Sequence, residues 1–142
     1  MTRRALWGGI ELDDDPSRLD LDVIVAFLRT TYWGARRPVS MIEGAIRDSH
    51  RVVGLYDGAR QIGFARAVSD GHVVAYLADV YVLPGYRGRG LGAELVGEMI
   101  ERGPLANVRW MLHTKDAHDL YRRFGFHEPD GRALERDLRL PD

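Results

Sequence analysis

Hydrophobic and polar residues repeat along this chain with two distinct periods. Residues 21–29, LDVIVAFLR, place Ile24, Phe27 and Leu28 on one helical stripe behind Asp20, a side chain suited to cap a helix. TYWGARRP follows, and Gly34 and Pro38 turn it into a loop. Ser40 and Glu43 have capping-box spacing ahead of Ile42, Ala45 and Ile46, which predicts a short second helix. Three strand-like runs come next: RVVGLY (51–56), QIGFARAV (61–68) and VVAYLADVYVL (73–83). Asp57-Gly58 and Asp70-Gly71 between them carry hairpin-turn chemistry.

Within 76–83, strict alternation sends Tyr76, Ala78, Val80 and Val82 to one face and Leu77, Asp79, Tyr81 and Leu83 to the other. Both sets are mostly apolar, as in a central strand covered on both sides. Leu95, Val96, Met99 and Ile100 then form a helical stripe, with Glu94, Glu98 and Glu101 off it and Gly103-Pro104 as its stop. VRWMLH (108–113) predicts a strand, and AHDLYRRF (117–124) a short helix stopped by Gly125. FHEP and the region near ALERDL are read as final strands. The order ααβββαβαβ(β), free of repeats, predicts one α/β domain on a mixed sheet, antiparallel early and closed by a β–loop–α–β crossover.

Between the third strand and the next helix lies LPGYRGRGLGAEL (83–95), with Gly85, Gly88, Gly90 and Gly92 and two arginines, Arg87 and Arg89. Each ordered glycine costs roughly 0.5–1 kcal/mol relative to alanine. A strand, a glycine-rich loop and a helix N-terminus in that order offer unpaired N–H groups and a positive dipole end, which together suit phosphate oxygens. The guanidiniums add donors that match phosphate geometry. Residues 88–93 also fit GxGxx[GA], the dinucleotide fingerprint. That motif requires its first glycine at the strand end and an acidic residue about 20 positions on. Here PGYR intervenes and the distant position is His113. No Lys-Ser/Thr follows to make a Walker A loop either.

Composition narrows the field. At 142 residues the chain can build one core without staples. Cysteine is absent, which removes disulfides, thiolate metal sites and a cysteine nucleophile. Basic and acidic residues number 20 and 21, for a net charge of −1, and 19 of the 20 basic residues are arginine. No basic run exceeds two residues, so neither composition nor patterning points to nucleic acid. No apolar run approaches a membrane span. The start, MTRRALWGGIELDDD, has no apolar stretch of signal-peptide type, and a cytoplasmic protein is expected. Asp13-Asp14-Asp15 reads as an exposed loop or cap, and no metal is called for.

Val82 to Gly92 closely resembles the acyl-CoA-binding segment of the GNAT superfamily of N-acetyltransferases, whose hallmark [RQ]-x-x-G-x-[GA] is matched by Arg87, Gly90 and Gly92. Ala117 to Phe126 resembles the family's A-x-x-L-Y-x-x-x-G-F motif. Many members carry Asn three residues before that alanine, where this chain has Thr114, so a hydrogen bond to the pantetheine arm is expected to differ.

The resemblance implies acetyl transfer from acetyl-CoA to a primary amine by direct attack in a ternary complex, with a homodimer compatible. Its diphosphate would lie on Arg87, Gly88, Arg89, Gly90, Leu91 and Gly92, and its pantetheine along Val80, Tyr81 and Val82, on a strand that splays from its neighbour. A backbone N–H near Val82 would stabilise the developing oxyanion. Tyr121 is the candidate acid toward the leaving thiolate. With phenol near ~10 and thiol near ~8.5, full transfer is uphill by roughly 2 kcal/mol, so hydrogen bonding dominates. Asp79, its pKa raised by burial, is either the base or a partner that shapes the pocket; His72, His113 and His118 are rivals. Tyr32 and Trp33 are candidates to cover the acceptor, and Arg36 or Arg37 to hold a carboxylate on it. The competing reading is a non-catalytic module that binds CoA or acetyl-CoA.

Overall fold

The computed structural model describes residues 2–140. Six strands form one sheet in sequence order: β1 Arg3–Ala5, β2 Ile10–Asp13, β3 Arg51–Asp57, β4 Arg60–Ser69, β5 Val74–Val82 and β6 Arg109–Met111. Every neighbouring pair is antiparallel except β5 and β6. Helices α1 (Leu21–Leu28) and α2 (Val39–Arg47) cover one face, α3 (Leu91–Ile100) and α4 (His118–Arg122) the other. The first face closes on Ile24, Leu28, Ile42 and Phe64, the second on Leu55, Ala67, Leu95 and Met99, all buried. The expected mixed sheet and its parallel crossover are present.

Several elements differ from the sequence reading. The hairpin β1–β2 was not anticipated. It turns through Gly8 and Gly9, both at positive φ (+64° and +78°), and its first strand is too short to show a period. Asp13 is therefore a buried strand residue, not part of an exposed loop. Its neighbour Asp14 pairs with Arg51 (3.1 Å), while Asp15 caps a 3-10 turn by accepting from Ser17 N–H (2.9 Å). Asp20 does cap α1, accepting from Val23 N–H at 3.2 Å. The Ser40–Glu43 capping box does not form. Pro38, with φ at −60°, starts α2 earlier, and its carbonyl accepts from Met41 and Ile42. Residues 126–140 contain no strand, so FHEP and ALERDL do not extend the sheet.

The larger correction concerns β5. Its register with β4 runs Phe64↔Tyr81 and then Arg66↔Ala78, so Asp79 and Val80 together oppose Ala65. This β-bulge inverts the pleat. Ala75 and Leu77 pack with α3; beyond the bulge Val80 and Val82 take that face, and Tyr81 turns to α1, stacking on Phe27 at 4.1 Å between centroids. Strict alternation had put Leu77 and Tyr81 on the same face. Asp79 is the one described non-glycine residue at positive φ (+55°). Such backbone costs on the order of 1–3 kcal/mol and persists only where surrounding contacts impose it.

Candidate active site

Beyond Val82 the chain forms a 3-10 turn, Pro84–Tyr86, which Tyr86 pins to the β3–β4 hairpin by donating to Asp57 (2.7 Å). Gly88 and Gly90 then take φ of +79° and +77°, the two of the four glycines whose conformation demands glycine. Gly90 caps α3 without a side chain, and Glu94 N–H to Gly90 O (3.2 Å) is the helix's opening bond. The amides of residues 88–93 thus precede any intrahelical acceptor. A Cβ on Gly85, Gly88 or Gly92 would meet nothing within 4 Å, so the outer side of the loop is open. Arg87 lies back on the strand end, donating from Nε to Val82 O (3.0 Å), and Arg89 reaches Gly85 O (3.4 Å). Leu91 points into the core and offers only its amide. Open amides at a helix start with two flanking guanidiniums can hold a polyanion.

Next to this cradle the sheet splits. β5 and β6 pair only at Val74–Tyr76 with Arg109–Met111, and from Leu77 to Val82 the outer edge of β5 has no strand partner among the described residues. Leu83 N–H turns inward to Ile62 O (2.8 Å), so alternation of the strand amides turns Val82 N–H outward. A cavity of about 410 Å³ opens along this edge. Tyr32 and Trp33, from the α1–α2 loop, line one side, and Thr114 and Tyr121 the other. The Tyr32 hydroxyl accepts from Lys115 N–H (3.1 Å) and bridges the two loops. Thr114 Oγ1 accepts from Ala117 N–H (3.2 Å), so its hydroxyl also orders the start of α4. Tyr81, buried on the opposite face, can offer only backbone to this cleft.

Asp79 lies in the cavity wall with its carboxylate saturated. Oδ1 accepts from Trp33 Nε1 and Arg37 Nη1, both at 2.9 Å, and Oδ2 accepts from Arg66 Nε at 2.7 Å. Burial pushes its pKa upward, but Arg66 and then Arg37 outweigh burial and hold it below the usual carboxylate value. The expected rise is thus reversed, and a carboxylate so engaged is a poor proton acceptor. Arg36 is exposed, whereas Arg37 lines the cavity.

The histidines separate clearly. His72 is on the exposed β4–β5 turn, and His118 faces Thr114 O at 3.1 Å, outside the cavity lining. His113 lines the cavity between two partners: Nδ1 lies 2.5 Å from the Tyr76 hydroxyl, and Nε2 pairs with Glu135 from the C-terminal tail. Burial first, and Glu135 next, push the Tyr76 phenol above its ordinary value. Tyr121 is buried in the same cavity, its pKa pushed up to about 12 by burial, then by Tyr32 and Asp116. Sequence reasoning missed Arg66 and Glu135. The register inversion hides Arg66 from any period-2 reading, and Glu135 lies in a tail without periodicity.

An anion cradle thus adjoins a split in a mixed sheet, with a buried phenol in the cleft. Residues 20–126 match the model of the Acetyltransferase (GNAT) family, and the chain belongs to that family. It is 32% identical over 111 residues to a histone acetyltransferase, TAP1, of Glycine max, covering 68% of this chain and 48% of that protein. An uncharacterized N-acetyltransferase, ycf52, of Porphyra purpurea is 30% identical over 103 residues, covering 68% and 59%. The chain spans about half the length of the curated relatives it matches. A solved GNAT-family structure from Xanthomonas campestris superposes with a TM-score of 0.85 at 36% identity, covering 91% and 93% of the two chains. An acetyltransferase structure from Clostridium acetobutylicum, solved with acetyl-CoA, shares the fold at a TM-score of 0.68 and 14% identity, covering 91% and 96%. No helix among the described residues is long and apolar enough to cross a membrane.

Proposed function

We propose that this protein transfers an acetyl group from acetyl-CoA to a primary amine by direct attack in a ternary complex, in the cytoplasm. The observation that carries the reading is the junction of an open amide cradle at residues 88–93 with a cavity along the unpaired edge of β5. The cradle amides, with Arg87 and Arg89, hold the diphosphate, and the edge at Val80–Val82 receives the pantetheine arm. Val82 N–H, turned outward, polarises the thioester carbonyl and stabilises the charge that develops on its oxygen. The amine nitrogen bonds to the carbonyl carbon and the carbon–sulfur bond breaks. Tyr121 donates a hydrogen bond to the departing thiolate.

The proton lost by the amine passes to the Tyr76 oxygen as Tyr76 hands its own to His113 Nδ1, and Glu135 stabilises the resulting imidazolium. This role falls to His113 because Asp79 is occupied by Arg66, Arg37 and Trp33. Asp79 is assigned to hold those groups in place.

Incubation with acetyl-CoA and a panel of primary amines should release free CoA and give an acetylated product by mass. Binding of acetyl-CoA without release from any amine would instead favour the non-catalytic module. The cradle has its own test. Gly92 has an ordinary φ and open space at its Cβ position, so Gly92→Ala should stabilise the fold by about 0.5–1 kcal/mol. Gly92→Glu should fold and lose acetyl-CoA affinity. Unchanged affinity in Gly92→Glu would remove the cradle from the site.

A further inference from the structure

We propose that the acceptor amine also carries a carboxylate, which docks on Arg37 and Arg66 in the wall of the cavity; this rests on the acetyl-transfer reading. The two guanidiniums share a single carboxylate. Side-chain exposure is 19% for Arg37, 11% for Arg66 and 1% for Asp79. Two largely buried positive charges therefore face one buried negative charge, and a partly buried guanidinium without a counter-ion is costly. The bonds to Asp79 use Nη1 of Arg37 and Nε of Arg66, and Arg66 Nη1 reaches Ser49 Oγ only at 3.5 Å. The Nη2 groups of both arginines engage no acceptor among the described residues, and both side chains line the cavity. Adjacent guanidiniums with free donors match the two oxygens of a carboxylate.

The remaining charges around the cavity agree. Lys115 adds a cation and Asp116 an anion, and Glu135 is paired with His113 outside the lining. Asp79, the carboxylate beside the arginines, is saturated and cannot receive a second ammonium there; the lining's other carboxylate, Asp116, is exposed next to Lys115. A polycationic acceptor such as a polyamine would bring its extra charge against Arg37 and Arg66. An amine of amino-acid type brings the missing negative charge. A cavity of about 410 Å³ lies within the range of small-molecule sites.

The test uses product analogues, so it does not depend on turnover. Calorimetry in the presence of CoA should show N-acetylated amino acids binding the wild-type protein about 10-fold or more tightly than their carboxamides. Arg37→Met leaves Asp79 paired with Arg66 and Trp33, and should bring that ratio close to 1. Arg37→Lys, which keeps the charge but not the planar fork, should retain part of it. Turnover is read separately with amino acids, their carboxamides and the corresponding decarboxylated amines. Absence of CoA release from every acceptor, with the binding preference intact, would sink acetyl transfer and leave the carboxylate site standing. Equal binding of carboxylates and carboxamides by the wild type, or faster turnover of the decarboxylated amines, would overturn the carboxylate site.

Discussion

Replacing Tyr121 with Phe removes one hydroxyl from the cavity and isolates what that hydroxyl does. In the proposed reaction the phenol, pushed up to about 12, meets a leaving thiol whose ordinary value is about 8.5. The gap of about 3.5 in pKa makes complete proton transfer uphill by about 5 kcal/mol, more than twice the figure for an unperturbed phenol. On the proposed mechanism Tyr121 therefore remains protonated as the carbon–sulfur bond breaks, and acts as a donor. A hydrogen bond to a charged acceptor contributes about 1.5–3 kcal/mol, so Tyr121→Phe should lower kcat about 10- to 150-fold. The ring keeps its edge contact with Phe126, centroids 5.8 Å apart, and stability should change by less than about 0.5 kcal/mol. The assay is steady-state release of CoA thiol, with the acetyl-CoA Kd measured by calorimetry. Because the phenol ionises near 12, the pH–rate profile below about pH 10 should keep its shape in the variant. Wild-type kcat, or a loss traced wholly to weaker acetyl-CoA binding, refutes the role.

Two further outcomes follow from the α1–α2 loop and from Asp79. A Cβ on Gly34 would stand 2.4 Å from Leu28 O, inside a turn held by Thr31 Oγ1 donating to Leu28 O (2.6 Å) and accepting from Gly34 N–H (3.0 Å). Gly34→Ala should lose about two hydrogen bonds, or about 2 kcal/mol, lower Tm by roughly 6 °C, and leave acetyl-CoA affinity intact; an unshifted Tm counts against it. Asp79 titrates below its ordinary value when folded, so its contribution to stability is complete above about pH 4 and is lost as pH falls further. Asp79→Asn leaves Arg37 and Arg66 without their counter-ion and should cost about 3 kcal/mol at pH 7. Its Tm should then fall less than that of the wild type between pH 5 and pH 2.5, and parallel acid profiles would refute the assignment.

What the sequence revealed and what it concealed divide along physical lines. Periodicity is legible where an element is long and one-sided, as in α1 and α3, whereas β3 and β4, buried along most of their length, show as apolar runs bounded by Asp-Gly turns. The cradle was legible because strand, glycines and helix are contiguous, and positive φ at Gly88 and Gly90 is the conformation that glycine permits. Hidden features either have too little local signal or depend on contacts between distant segments. The β1–β2 hairpin has three- and four-residue strands, too short to display a period. Ser40 and Glu43 have capping spacing, yet Pro38 two residues earlier presets the helix start. Arg66 and Glu135 carry no local signal; one is recruited by the inversion of β5, the other by a tail lacking regular structure.

The bulge at Asp79 connects the two halves of the site. Without it, period-2 alternation would bury Val80 and Val82 under α1 and α2 and send Tyr81 toward the cleft. One extra residue reverses that choice. It places Tyr81 against Phe27 on the closed face, and gives Val80 and Val82 to the face that carries α3 and the cradle. The positive φ at Asp79 costs on the order of 1–3 kcal/mol, and two guanidiniums and an indole bonded to its carboxylate offset that cost. The two guanidiniums are the groups that leave unspent donors in the cavity wall. The geometry that exposes the strand edge proposed for the thioester is thus stabilised by the arginines proposed for the acceptor. A substitution that relaxes the bulge should weaken acetyl-CoA binding and carboxylate discrimination together, whereas Arg37→Met, which leaves Asp79 held by Arg66 and Trp33, should reduce only the second.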